Sequence, residues 1–416
     1  MTPALVRRNT LLLAFGMACL SGLLQLVAAL SAITFVQVTG VEGLLGVGAA
    51  LVLAAWAVTS FPAGRAMDRR GRAPVLLAGF LGGAVGAALV ALAVVTENPI
   101  PAVAGFALIG AANGVVNLSR TAAGDMYPAA QRARGIALVV FGSVFGAILG
   151  PAIFSPLFNG DSTGTGTLAI GWLAGAVIML AGLAVVSRLR LESPSAQRER
   201  AAAANTGGME GPDEGGSSNE PKPETPLAEL LRRPGVVPAL AAAVASFAVM
   251  VAVMNLSGQV VVDNGHQRHE VFPVISAHIL GMFGLVLFVG QLVDRVGRPI
   301  ALTGGLLLVA LSCASLAWVT SIPATAAALF GLGLGWSFSY VAATAQLSDA
   351  TEPAERGRML GFSDALSAGT GAVLALAGGY TLSAAGVAAL GVGTAAIALV
   401  PVSYYAASAA MRPARA

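Results

Sequence analysis

The sequence is poor in charged residues, in aromatic residues and in cysteine. Asp, Glu, Lys and Arg make up 10% of its 416 residues, whereas soluble domains carry about 25%. Aromatic residues account for 6%, while hydrophobic residues reach 56% and glycine occupies 52 further positions. So few charged side chains cannot cover the surface of soluble domains of this total length. The composition therefore excludes a set of soluble globular domains and places the chain in a lipid bilayer.

The two cysteines and the scattered basic residues exclude further classes. Cys19 and Cys313 lie far apart in apolar segments, so the sequence offers neither a disulfide framework nor a C-x-x-C zinc or redox pair. The net charge is +3, and the basic residues are dispersed between apolar segments instead of forming one stripe. This dispersal argues against a nucleic-acid partner.

Apolar segments long enough to cross a bilayer, about 20 residues each, follow one another along the chain. The segment 192–234 is rich in Glu, Pro, Gly and Ser and has no apolar face, which predicts a disordered linker. We predict an all-α membrane protein with two six-helix bundles, residues 1–191 and 235–416, on either side of this linker. The twelve predicted transmembrane helices lie near residues 11–34, 44–64, 74–95, 101–120, 135–157, 168–187, 238–262, 271–292, 299–319, 323–347, 358–380 and 384–405.

The positions of the basic residues favour one orientation in the membrane. If the N-terminus is cytoplasmic, Arg268 is the one residue among the 23 Lys and Arg that falls on the other side. Short cytoplasmic loops of membrane proteins carry such an excess of basic residues. We therefore expect a multi-pass protein of the inner membrane, with both termini and the linker in the cytoplasm.

Two loop motifs occur twice at almost the same displacement. The segment Gly64–Arg72, GRAMDRRGR, recurs as Gly290–Arg298, GQLVDRVGR, 226 positions later. A second set, displaced by 224 positions, consists of Asp125, Arg132 and Arg134 and of Asp349, Arg356 and Arg358. Two repeated motifs in corresponding loops indicate two homologous halves around a central cavity.

The repeated motif resembles the G-x-x-x-D-R-x-G-R loop of the major facilitator superfamily, which follows the second helix and recurs weakly after the eighth. The resemblance covers the whole chain. It implies a monomeric secondary transporter, not an enzyme, whose two bundles alternately expose a central site to the two sides of the membrane.

A carboxylate in such a loop is expected to face the N-terminus of a helix from the other half. Free backbone N–H groups and the helix dipole favour an anion there. This contact would hold the cytoplasmic side closed. The predicted gating residues are Gly64, Asp68, Arg69, Gly71, Arg72, Gly290, Asp294, Arg295, Gly297 and Arg298.

The seventh and eighth predicted helices carry soft metal donors. Met250 and Met254 are four residues apart, and so are His278 and Met282, which places each pair one turn apart on one face of an α-helix. At a rise of about 1.5 Å per residue, the donors fall at matching depths in the outer half of the membrane. Three thioethers and one imidazole suit Cu(I) and discriminate against hard cations.

This pair of motifs, M-x-x-x-M and H-x-x-x-M, resembles the bacterial copper importers of the superfamily that supply haem-copper oxidase assembly. The resemblance implies that copper is the transported substrate, bound by these four residues, and no cofactor is predicted. In the outer loop, His266 and His269 could capture the metal before it enters. Further candidates for the cavity or for ion coupling are Asn113, Asn117 and Asp364.

Three other interpretations stay open. Riboflavin importers are relatives of the copper importers, which keeps a small organic substrate in consideration. Drug efflux is the second, because Gly142, Gly146, Gly150 and Pro151 resemble part of an antiporter motif, although Phe154 and Ser155 replace its closing glycines. A membrane metal receptor that does not transport is the third.

Overall fold

The computed structural model describes residues 2–41, 47–154, 164–191, 225–266 and 270–410. These residues form helices joined by short connections, and this part of the chain contains no strand. The α-helices are α1 (Pro3–Thr39), α2 (Val47–Arg70), α3 (Arg72–Thr96), α4 (Pro99–Val116), α5 (Ser119–Met126), α6 (Arg132–Phe154), α7 (Thr165–Val186), α8 (Leu227–Arg232), α9 (Val236–Asp263), α10 (Val271–Ile279), α11 (Val286–Val296), α12 (Arg298–Ser315), α13 (Ile322–Asp349) and α14 (Arg356–Ala410).

The number of membrane spans follows from two irregular helices. Within the described residues, ten helical segments are long and apolar enough to cross a membrane, and a bent pair in the region of α10 and α11 adds an eleventh. Helix α14 has 55 residues and is broken at Gly386, where φ is 79°. Its length, on the order of 80 Å, exceeds twice the thickness of the hydrocarbon core. Two spans therefore share α14, and the predicted all-α fold with twelve spans is confirmed.

Two predicted helices differ from the structure in their interior. The fourth span is interrupted at Asn117 and Leu118, where α4 ends and α5 begins. The Nδ2 of Asn117 donates to the backbone oxygen of Asn113 at 3.1 Å, a local bond of the kind that competes with regular helix. The eighth span contains a π-helical turn, Leu280–Gly284, and its two parts meet at 45°.

The two halves meet chiefly where α2 packs against α14 and where α6 packs against α11. These two interfaces are equivalent under the internal repeat, because α11 corresponds to the end of α2 and α14 to α6. Gly142 and Gly146 of α6 pack closely against the backbone of α1. Small residues let membrane helices approach in this way, so packing accounts for these two glycines without an antiporter function.

Contacts place the start of α1 beside the end of α7, and Thr225 beside the end of α2 and the start of α14. We call this side of the bundle, which includes the loop between α2 and α3, the latch face. Most of the predicted linker, residues 192–224, lies outside the described residues. Its last part, from Thr225, forms α8 and contacts the loop before α14.

Candidate transport cavity and latch

Asp68 joins the two halves at the latch face. Its carboxylate accepts hydrogen bonds from the backbone N–H groups of Gly357, at 2.9 Å, and Arg358, at 2.7 Å, in the first turn of α14. Arg72 donates to the same carboxylate at 2.5 Å. The residue is 7% exposed. A buried charge of one half therefore binds the positive end of a helix dipole in the other half.

Asp294 makes the equivalent contact in the opposite direction. It accepts from the backbone N–H groups of Ala133, at 3.2 Å, and Arg134, at 2.9 Å, in the first turn of α6. Arg298 donates to its carboxylate at 2.7 Å. Each half thus places one carboxylate on a helix N-terminus of the other.

Four more charged residues complete this arrangement. Asp125 pairs with Arg72 at 3.0 Å and with Arg356 at 2.8 Å. In the equivalent set of the internal repeat, Asp349 pairs with Arg298 at 3.1 Å and with Arg132. We call the eight residues the latch: Asp68, Arg72, Asp125, Arg132, Asp294, Arg298, Asp349 and Arg356. Because the pairs Asp125–Arg356 and Asp349–Arg132 cross between the halves, they connect the two halves at the latch face.

The glycines of the repeated motif allow this close approach. A methyl group at Gly64 would overlap the backbone carbonyl of Gly357 across the interface. Gly71 and Gly297 have φ angles of 93° and 88° where α3 and α12 begin, a conformation that favours glycine. The two arginines next to the latch carboxylates, Arg69 and Arg295, are instead exposed.

One end of the linker is bound beside the latch. Glu355 accepts from both Nη groups of Arg233, at 2.6 and 3.0 Å, and from the hydroxyl of Thr225 at 2.6 Å. Arg358 donates to the backbone oxygen of Thr225 at 2.5 Å. Burial acts to raise the pKa of Glu355, but the hydrogen bonds from Arg233 and Thr225 outweigh it and hold the pKa below the usual value. The equivalent position in the first half is Gln131, so this attachment is present once.

The linker attachment is expected to weaken in acid. Since the folded state lowers the pKa of Glu355, its contribution to stability is present above the unfolded pKa of about 4.3 and is lost as the pH falls through the lower folded value. Glu355→Gln should therefore lower the melting temperature at pH 7 and have no effect at the acidic limit. Thermal unfolding of both proteins across this pH range measures the difference. A difference that does not change with pH would contradict the assigned interaction.

A central cavity of about 170 Å³ lies between the halves. By the same measure of volume, one water molecule needs roughly 15 Å³, so the space suits a small organic molecule better than a single ion. Asn113, Asn117 and Asp364 all line it, as do Ser363 and Ser367. The remaining lining residues are Met17, Leu20, Ser21, Leu24, Trp56, Arg120, Val140, Ser143, Ala243, Phe247, Met250, Met282, Phe283, Trp336, Tyr340 and Thr344.

A buried ion pair crosses the cavity wall between the halves. The Nη2 of Arg120, in α5, donates to the Oδ1 of Asp364, in α14, and the two residues are 2% and 5% exposed. Arg120 also donates to the backbone oxygen of Asn117 at 2.9 Å, and its guanidinium lies 4.9 Å from the ring centroid of Tyr340. The repeat-related positions are Val140 and Thr344, so the pair has no counterpart in the other half.

Sequence reasoning did not identify Arg120 as a site residue. Arg120 follows Asn113 and Asn117 at helical spacing, and this spacing could have placed it on the same polar face of the helix. Arg120 lies in α5, just after the break that ends α4, and lines the cavity.

Aromatic side chains are concentrated in the cavity. Five of its 21 lining residues are aromatic, whereas the whole sequence has 6%. Trp336 and Tyr340 are stacked at 4.7 Å between ring centroids with planes 19° apart. Trp56 meets Phe247 edge to face at 5.1 Å across the two halves. Such walls suit a flat, apolar ring system.

The predicted copper ligands are only partly brought together. Met250 and Met282 line the cavity, and Met254 belongs to the same buried cluster. His278 is fully buried, and its Nδ1 is hydrogen-bonded to the backbone oxygen of Leu329 in α13 at 2.9 Å. His278 is not among the residues that line the cavity.

The segment from His278 to Met282 is not a regular α-helix. His278 lies in α10, whereas Met282 lies in the π-helical turn that follows it. Of the two loop histidines, His266 contacts the backbone oxygen of Thr320 at 2.6 Å, and His269 lies outside the described residues. Across the described part of the chain, no group of three or more His, Cys, Asp or Glu side chains could hold a metal ion.

Two related halves, a latch on one face and a central cavity define a multi-pass membrane carrier of small substrates. The sequence matches the Major Facilitator Superfamily over residues 9–266 and 267–413, and the chain belongs to this family. It is accordingly a transporter and not an enzyme.

Two sequence relatives cover most of the chain. The riboflavin transporter RfnT of Brucella anthropi is 28% identical over 380 residues, which are 91% of this chain and 90% of that protein. The uncharacterised MFS-type transporter YdeG of Bacillus subtilis is 30% identical over 374 residues, or 88% of this chain and 84% of that protein. The resemblance to copper importers is not supported by these comparisons.

Solved structures share the fold. The proton:xylose symporter XylE aligns with a TM-score of 0.77 and 14% identity, over 97% of this chain and 96% of that one. The human organic anion transporter MFSD10 aligns with a TM-score of 0.67 and 16% identity, over 97% and 100%. At these identities the two structures establish the architecture and leave the substrate to the residues of the cavity.

Proposed function

We propose that the protein is a secondary transporter of a planar heteroaromatic compound of the riboflavin class. The observation that carries the proposal is the aromatic cavity, with Trp336 stacked on Tyr340 and Trp56 opposite in the other half. An isoalloxazine ring is flat and uncharged, and stacking on such side chains stabilises it by roughly 1–3 kcal/mol per contact, as for a nucleic-acid base. The named substrate of the RfnT relative supports the same class.

The asymmetry of the cavity supports a role in substrate handling. The latch is present in both halves, as expected of parts that serve the shared motion. The ion pair Arg120–Asp364 occurs once, and Val140 and Thr344 occupy the related positions. A feature that fold symmetry does not require is expected to serve the particular substrate.

Copper is the second candidate, because three thioethers cluster beside the cavity. Met250 and Met282 line it, and Met254 packs against the same group. Soft donors of this kind bind Cu(I). The aromatic walls and the riboflavin relative favour the organic substrate.

Transport into proteoliposomes tests the proposal. Purified protein should accumulate riboflavin saturably, as measured by flavin fluorescence, and lumiflavin should compete because it carries the same ring system. Trp336→Ala should reduce the initial rate at low substrate concentration by about tenfold through the loss of stacking. Trp318→Ala is the matched control, since this tryptophan is 75% exposed and does not line the cavity.

The same vesicles distinguish the two candidates. Saturable accumulation of Cu(I) that requires Met250 and Met282, together with no uptake of riboflavin, would overturn the proposal in favour of copper. Binding of copper without its accumulation would identify the metal receptor considered above.

A further inference from the structure

Four buried polar atoms around the cavity have no hydrogen-bond partner among the described residues. They are the Nε of Arg120, the Oδ2 of Asp364 and the indole Nε1 atoms of Trp56 and Trp336. All four residues line the cavity, and each half contributes two. More than nine in ten buried polar groups in proteins are paired, so a cluster of unpaired ones calls for an explanation.

The four atoms have a defined hydrogen-bonding character. The Nε–H of Arg120 and the two indole N–H groups are donors, and the Oδ2 of Asp364 is an acceptor. The ion pair uses Nη2 of Arg120 and Oδ1 of Asp364, and the Nε–H of Arg120 and the Oδ2 of Asp364 have no hydrogen-bond partner. A complementary ligand has several acceptors and one N–H donor next to a carbonyl group.

We propose that Arg120 and Asp364 recognise the imide edge of a flat heteroaromatic substrate, a specificity that rests on the proposed function. The ring N–H of the imide donates to Oδ2 of Asp364, and an adjacent carbonyl oxygen accepts from the Nε–H of Arg120. The indole N–H groups lie in the planes of their own rings, so Trp56 and Trp336 donate to acceptors on substituents of the substrate and not to the ring stacked on them. The substrate class is therefore cyclic imides fused to an aromatic ring, which includes flavins and excludes rings whose edge carries only donor amines.

The aromatic contacts fit this orientation. Tyr340 lies under the guanidinium of Arg120 and is stacked on Trp336. Phe283 meets Trp336 edge to face at 5.9 Å. These contacts fix the planes of the cavity wall beside the ion pair, so a flat ring that stacks there can direct its edge to Arg120 and Asp364.

Two flavins that differ by one methyl group test the recognition. In detergent, the full-length protein should bind riboflavin at least tenfold more tightly than N3-methylriboflavin, measured by quenching of flavin fluorescence. Methylation removes the donor and leaves Oδ2 of Asp364 buried without a partner, and sites built for a hydrogen bond reject such analogues strongly. In Asp364→Asn, which keeps the side-chain volume, the two affinities should agree within about twofold. If Asp364 were purely structural, both affinities would fall together and the ratio would stay as in the wild type.

Variants of single tryptophans test the indole N–H donors, which carry no charge. Trp336→Phe keeps an aromatic ring and removes the N–H, so riboflavin affinity should fall by roughly three- to tenfold with the ratio between the two flavins unchanged. Trp172→Phe is the matched control. Its Nε1 already donates to Thr34 at 3.0 Å, and it does not line the cavity, so riboflavin affinity should not change.

The outcomes separate this inference from the proposed function. Equal affinity of the wild-type protein for both flavins overturns the imide recognition and leaves riboflavin transport standing. No binding of riboflavin overturns both. If Asp364→Asn fails to fold, the wild-type ratio and the two tryptophan variants still decide the question.

Discussion

Replacing Asp68 with asparagine is expected to open the latch face. The substitution removes the charge that accepts from the N-terminus of α14 and pairs with Arg72. Hydrogen bonds to a charged group contribute about 2–3 kcal/mol together, so the ratio of open to closed protein should rise roughly 30- to 140-fold. Asp294→Asn should act in the same direction but less strongly, because its longest contact, to the N–H of Ala133, is 3.2 Å.

Distances between spin labels across the latch face measure this change. Cysteines at the exposed positions Arg70 and Glu352, in a background with Cys19 and Cys313 replaced by alanine, carry the labels. The wild-type background should give one short distance by double electron–electron resonance, and Asp68→Asn should add a longer one. Arg295→Gln is the control, since this exposed motif arginine lies beside Asp294 and outside the latch. An unchanged distance distribution in Asp68→Asn would show that the contact does not hold the face closed.

Removing one partner of the central ion pair is expected to be more damaging than removing both. Asp364→Leu leaves the guanidinium of Arg120 buried without a counter-ion, and such a change typically costs 3–5 kcal/mol. The double variant Arg120→Met with Asp364→Leu replaces the pair with apolar side chains and should recover the stability to within about 1–2 kcal/mol. Its riboflavin uptake should still be lost, because the polar edge of the cavity is gone.

Thermal unfolding and uptake measured on the same preparations separate the two effects. Asp364→Leu and Arg120→Met alone should each lower the melting temperature, and the double variant should have a near-normal one. A double variant that transports normally would show that the pair is structural. Single variants as stable as the wild type would contradict the geometry of Arg120 and Asp364.

The fold and the contacts of Asp68 could be predicted because their signals are local and repeated. Apolar length sets the spans, and the 226-residue displacement relates the halves. A carboxylate in a short glycine-containing loop has few partners other than a nearby helix N-terminus, and the structure places Asp68 and Asp294 at such ends. Sequence alone also showed the second repeated set, but not that Asp125 and Asp349 each bridge two arginines.

The cavity could not be predicted in the same way. Trp56 and Trp336 are 280 positions apart, and no periodicity within one helix relates them. Arg120 lines the cavity just after the break between α4 and α5, and helical periodicity does not predict such a break. The spacing of His278 and Met282 was interpreted as one α-helical turn, and a π-helical turn has no reliable sequence signal. Spacing arguments that assume a regular α-helix do not anticipate irregular turns of this kind.

The latch has a thermodynamic consequence for substrate affinity. Its contacts exist only in the conformer that is closed on that face, so a compound that binds this conformer better than the other must strengthen the latch by the same factor. A tenfold preference corresponds to about 1.4 kcal/mol in either direction. A substitution that weakens the contacts of Asp68 should therefore lower the apparent affinity for substrate that binds from the side opposite the latch face. The residues of the cavity are not altered by such a substitution. Affinity is then expected to depend in part on helix ends that do not line the cavity.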